Sequence, residues 1–90
     1  MTTLFPLGYT TATPRALALL HDTGMSLATL LDRHAIGDWG QIDPEDRGLN
    51  ERALCDGDRV FSVYDIGPGR VWVITEADRS STTLLLPEDY

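Results

Sequence analysis

Hydrophobic positions recur first at helical spacing and then in alternation, and the change falls near Arg59. The first helix is well punctuated. Thr13 is a capping residue, Pro14 suits the first helical position, and Gly24 suits a left-handed stop. Between them Leu17, Leu20 and His21 recur at helical spacing, with Ala16, Ala18 and Leu19 widening the apolar side. Ser26 opens a second helix in which Leu27, Leu30, Leu31 and His34 fall at i, i+3, i+4 and i+7, and Gly37 closes it. Both helices are shorter than the ~12–15 residues at which an isolated helix becomes marginal, so packing must hold them. After the turn Gly37-Asp38-Trp39-Gly40, Asp43 and Pro44 start a third helix that continues through Leu49, Ala53 and Leu54 to Gly57. Glu45 and Asp46 place negative charge on its first turn, where the helix dipole favours it.

From Arg59 the period is two. Val60–Tyr64 and Val71–Thr75 read as strands around the turn Gly67-Pro68-Gly69, and Thr82–Leu86 follows as a third strand ended by Pro87. On the middle strand Val71, Val73 and Thr75 line one face, Trp72 and Ile74 the other, and one face should lie under the helices. Residues 1–12 are an extended lead-in. Pro6 and Gly8 interrupt it, so an edge strand is the most it supports. The expected architecture is α+β: two short helices and a third capped helix packed on a three-stranded antiparallel meander, in one domain spanning 1–90.

Charge adds a strong asymmetry. The 90 residues carry a formal charge of −7, from 14 acids against 7 bases, all of them Arg. Eight of the acids (Asp32, Asp38, Asp43, Glu45, Asp46, Glu51, Asp56, Asp58) lie between residues 32 and 58 with only Arg33, Arg47 and Arg52, a net of −5. Such a surface repels phosphate backbones and anionic membranes and attracts basic partners, so direct binding of nucleic acid or membrane is not expected. Cys55 is the only cysteine, and the fold cannot depend on an internal disulfide. Without a basic leader or an apolar run of the ~20 residues that span a bilayer, the chain is expected to be cytoplasmic.

Candidate catalytic groups do not assemble into a motif. His21, His34 and Cys55 are not tied by any nucleophile signature, and no pair of metal ligands sits at i, i+4 on one helix. No metal or cofactor is therefore expected. His34, near the end of the second helix, reads as a cation complementing the dipole, and Cys55 as a packing residue. Asp56-Gly57-Asp58 lacks the closing glutamate of a calcium loop and reads as a helix stop. Glu76 and Asp78 flank a hairpin turn, where carboxylates are usually solvated. An enzymatic alternative would combine them with His34 or Cys55 in a shallow cleft, and another would be a homo-oligomer whose meander pairs edge to edge.

The segments Arg33-His34-Ala35-Ile36-Gly37-Asp38-Trp39-Gly40, Asn50-Glu51-Arg52-Ala53-Leu54 and the whole run from Val71 to Tyr90 resemble small bacterial proteins carried on plasmids and integrative mobile elements. The resemblance covers most of the chain after the first dozen residues. Members of that group are mostly uncharacterised, so it implies a mobile-element setting and supplies neither an active site nor a fold.

Together these readings favour a non-enzymatic acidic module that binds a basic protein surface. The expected partner is a host nucleic-acid-handling defence enzyme, with carboxylates standing where phosphates would bind. The expected contact residues are Asp38, Trp39, Asp43, Glu45 and Asp46, an aromatic anchor ringed by acids, although Trp39 reads more readily as a plug between helices and sheet.

Overall fold

A computed structural model describes residues 3–90; the first two residues of the expected lead-in lie outside it. The elements run β1 (Tyr9–Ala12), α1 (Pro14–Thr23), α2 (Leu27–Ala35), α3 (Pro44–Asp56), β2 (Val60–Ile66), β3 (Gly69–Thr75) and β4 (Ser81–Leu85), ending in a 3₁₀ turn (Pro87–Asp89). The class is α+β as expected, but the sheet is four-stranded and mixed, in the order β1-β4-β3-β2. The lead-in supplies the extra strand. Tyr9–Ala12 pairs in parallel with β4, in the register Tyr9↔Ser81 to Ala12↔Leu84. This corrects the three-stranded meander. Pairing of this kind needs a partner far away in the chain, and β1 and β4 are separated by every other element, so no local turn announces it.

The caps form as their chemistry requires. Thr13 accepts a hydrogen bond from the Ala16 amide, Pro14 begins α1, and Gly24 stops it at φ 70°. Asp43 accepts from the Asp46 amide, Pro44 begins α3, and Gly57 stops it at φ 77°. Ser26 occupies the N-cap of α2 without a side-chain bond.

Even-numbered residues of β2 and odd-numbered residues of β3 face the helices. The main core joins Ala16, Leu20, Leu30 and Leu31 of the helices to Tyr64, Ile66, Val71, Val73 and Leu84 of the sheet. A second cluster of Phe5, Trp39, Ala53 and Val60 lies under the start of β2, with Ile42 and Leu54 packed on it. The inward line of α1 is Ala16 and Leu20; Leu17 and His21 point to solvent, contrary to expectation. On α3 the inward positions are Asn50 and Ala53, and Leu49 is 52% exposed rather than part of an apolar stripe.

The outer edge of β2 is closed within the chain at Phe61 and Val63. The Asn50 amide donates to the Phe61 carbonyl (2.6 Å) and accepts from the Phe61 amide (3.0 Å), standing in for a strand's peptide group. Two residues on, Val63 donates to the Trp39 carbonyl (3.0 Å) and accepts from the Gln41 amide (2.6 Å). Gly40, between those two, has φ 75°, and a Cβ there would run into the Val63 carbonyl. The other edge of the expected meander is taken by β1. An edge open to solvent therefore remains on β1, while the edge of β2 is covered at Phe61 and Val63.

Candidate functional site

Of the five expected contact residues, two are engaged inside the molecule. Asp38 receives both ends of the Arg33 guanidinium (Nε to Oδ2 2.7 Å, Nη2 to Oδ1 3.3 Å), and this bond holds its carboxyl below the usual carboxylate range. Its backbone carbonyl accepts from the Tyr64 hydroxyl at 2.6 Å, and the Arg33 guanidinium lies 4.5 Å above the Tyr64 ring. Trp39 is 2% exposed. It stacks on Phe5 with ring centroids 6.2 Å apart and meets the His34 ring edge-on at 5.9 Å. The expectation that Trp39 anchors a partner is thus corrected, and its other reading holds: a large ring beside two glycines fills the gap between α2, α3 and β2.

Asp43, Glu45 and Asp46 cluster at the start of α3. Asp43 is exposed while its Oδ1 caps the helix (2.8 Å from the Asp46 amide), Glu45 is exposed and Asp46 half-buried. Among the described residues, ion pairs join Arg15–Asp89, Arg33–Asp38, Arg59–Glu76 and Arg70–Asp65, and none involves an acid of α3 or its flanks. Residues 43–58 hold six acids against two arginines, a net of −4. Glu45, Leu49, Arg52 and Asp56 follow at i, i+4, i+7 and i+11, so they share one exposed face. Sequence reasoning missed Leu49 as the exposed apolar residue of this face. A helical wheel anchored on the inward pair Asn50 and Ala53 sets Leu49 at the border of the inward face, so the wheel alone does not separate it from the half-buried Leu54.

The groups of the enzymatic alternative occupy different environments. Cys55 and Asp78 are exposed, with Asp78 accepting from the Ser80 amide; Glu76 is half-buried and faces Arg59. His34 has no solvent exposure. Among the described residues no hydrogen bond joins any two of these four, and no group of three or more His, Cys, Asp or Glu converges to hold a metal. No helix in them is long and apolar enough to cross a membrane.

His34 is instead the centre of a buried polar chain. Its Nδ1 lies 2.5 Å from Ser62 Oγ and its Nε2 lies 2.9 Å from Thr75 Oγ1, which lies 2.6 Å from Thr82 Oγ1. Thr82 in turn donates to the Leu7 carbonyl at 2.7 Å. That last bond orients the whole chain, because each hydroxyl has one proton. Thr82 spends its proton on Leu7, so Thr75 must donate to Thr82. Nε2–H must then donate to Thr75, and Ser62 donates to an unprotonated Nδ1. Burial, seconded by the nearby Arg79 charge, lowers the His34 pKa to about 4. The expected role of His34 as a dipole-complementing cation is therefore corrected. It is a neutral ring tying α2 to β2, β3 and, through Thr82, β4. A Ser–His contact in this setting holds the fold together, since Ser62, His34, Thr75 and Thr82 are all inaccessible to a substrate.

The chain matches no protein-family model, no curated protein and no solved structure.

Proposed function

We propose that the protein is a non-enzymatic, cytoplasmic binding module that presents the face of α3 to a basic surface on another protein. The observation that carries this reading is that none of the six acids from Asp43 to Asp58 has an internal ion pair among the described residues, whereas Asp38, Asp65, Glu76 and Asp89, half of the remaining eight, each have an arginine partner. Unpaired carboxylates around an exposed leucine form a contact patch whose desolvation a partner's guanidinium and ammonium groups would offset. The partner we favour is a nucleic-acid-handling enzyme, whose phosphate-binding surface has the required charge. The resemblance to mobile-element proteins supports an inhibitory role against host defence.

The test is charge reversal on positions that do not hold the fold. Partners captured from a host lysate should bind the double variant Glu45→Arg, Asp56→Arg at least about a hundredfold more weakly, and Leu49→Ala about tenfold more weakly. Asp38→Asn should leave binding unchanged, because Arg33 already holds that carboxylate. If the partner is a nucleic-acid enzyme, duplex DNA should compete. An affinity indifferent both to salt and to the double reversal would overturn the proposal.

A further inference from the structure

The sheet has a second face, turned away from the helices, and it differs from the rest of the surface in charge. Register places Phe61 beside Ile74, Val63 beside Trp72, and Trp72 beside Leu85 on this side. Val63, Ile74 and Leu85 are only 5–7% exposed, yet they belong to neither core cluster. Their cover is a row of edge-to-face rings, Phe61 on Trp72 at 5.2 Å and Trp72 on Tyr90 at 5.6 Å. Tyr90 is itself 71% exposed, and Tyr9, at the β1 end of this side, 75%. Between Phe61, Trp72, Ile74, Tyr90 and Arg59 lies a recess of about 260 Å³, room for one large side chain.

The charges bordering these rings occur in matched pairs. Arg59 faces Glu76 at 3.6 Å, and Asp65 faces Arg70 at 2.8 Å. In a chain of net charge −7 these two bordering pairs sum to zero, with Glu88, which shares a recess with Asp65 and Arg70, as the neighbouring acid outside them. The largest run of acids without an ion pair lies elsewhere, on α3 and its flanks, and α3 packs against Val60 on the helix side. A nucleic acid would meet no cationic surplus on this face, and a strongly basic protein no anionic one. A second copy of this chain meets its own complement. In a twofold arrangement each Arg59 can face the partner copy's Glu76, while α3 of each copy points away from the contact.

We propose that the outer face of the sheet, centred on Trp72, is a homodimer interface. The apolar rings supply the attraction and the bordering pairs set the register, since exposed ion pairs contribute little on their own. One face of a four-stranded sheet is at the small end of stable interfaces, so self-association should depend on concentration. The inference is independent of the α3 proposal and leaves that surface free.

Sedimentation velocity from micromolar to millimolar protein tests it. The unaltered chain should pass from monomer to dimer. Arg59→Glu makes the face net negative and Glu76→Arg makes it net positive; each alone should weaken self-association at least about tenfold. Mixing the two should restore a dimer, now a heterodimer, and so should the double variant. Circular dichroism confirms that both single variants fold, as expected for exposed positions. A monomer throughout the range would overturn the proposal. So would a dimer that both reversals leave untouched, and Thr11→Pro then identifies pairing through the β1 edge if it abolishes that dimer.

Discussion

The Arg79 guanidinium donates a 2.9 Å hydrogen bond to the carbonyl of Ala53, in the last turn of α3. The same group also donates to the carbonyls of Asp58 (2.6 Å) and Glu76 (3.2 Å), so one side chain closes the end of a helix, the following loop and the end of β3. Helix C-termini leave carbonyls without partners, and a cation there meets the negative end of the dipole. The backbone of Arg79 sits at φ 62°, the only positive φ outside glycine among the described residues.

Those two facts predict opposite contributions from one residue. Arg79→Ala should destabilise the fold by about 1–3 kcal/mol through the lost charge-assisted bonds. Arg79→Gly loses the same bonds but relieves the left-handed backbone, and should be more stable than the alanine variant by about 1 kcal/mol. Urea denaturation of the two variants, compared with the unaltered chain, checks both the sum and the difference.

Asn50 should be as unforgiving as a core residue despite its polarity. Its amide meets the N–H and the carbonyl of Phe61 together, and an alanine would leave both unpartnered at a part-buried edge. Asn50→Ala should cost about 1–3 kcal/mol. Asn50→Asp should fail nearly as badly, because a carboxylate cannot donate to the Phe61 carbonyl. Faster hydrogen exchange at the Phe61 amide, with other β2 amides still protected, is the expected signature of the local loss.

Legibility followed the range of the interaction. Thr13, Asp43, Gly24 and Gly57 were readable because a cap or stop is decided within a few residues, and the split of Val71, Val73 and Thr75 from Trp72 and Ile74 follows from strand alternation alone. The parallel pairing of Tyr9–Ala12 with β4 was not, since its partner lies at the other end of the chain. Asn50 was hidden for a related reason: an amide mimicking a peptide group looks like any polar helix residue until the strand edge beside it is known. The contact role of Trp39 and the cation role of His34 fail together. Each residue sits among charged neighbours in sequence but in the dry space between α2 and the sheet, with Phe5 from the lead-in completing the cluster. In the candidate site, the acids of α3 were visible from composition, whereas which of them stay unpaired depends on where the arginines fold.

Asp43 separates capping from binding. Asp43→Ala removes the acceptor for the Asp46 amide and should destabilise the fold by about 1 kcal/mol, whereas Asp43→Ser, which keeps a capping oxygen without the charge, should cost only a few tenths. If α3 is the contact surface, the serine variant should still bind more weakly than the unaltered chain. Thermal denaturation alongside binding of a captured partner distinguishes the two contributions.

The buried His34 predicts how the fold responds to acid. Its pKa is lowered to about 4 in the folded chain against an ordinary value of 6.5, so between those two pH values the unfolded chain binds more protons. Stability from this group is complete above pH 6.5 and is lost as pH falls towards 4, by about 3 kcal/mol in all, at a slope of at most about 1.4 kcal/mol per pH unit. The structural reason is the one-way hydrogen-bond chain: a proton arriving at Nδ1 turns an acceptor into a donor, and Ser62 must surrender the bond it donates. Asp38, Asp78 and Asp89 have lowered values too, but theirs act below the ordinary carboxylate range, so the upper window belongs to His34. Urea denaturation at intervals from pH 7.5 to 4 should therefore show falling stability well before carboxylates titrate. His34→Gln should be less stable at pH 7 yet nearly flat across the same interval, and Arg79→Gln, which removes the nearby cation, should move the acid-induced loss to lower stability cost by letting the His34 pKa rise. A wild-type profile flat from pH 6.5 to 4.5 would mean that the ring reaches solvent or another acceptor when it is protonated, and the buried neutral tautomer would have to be abandoned.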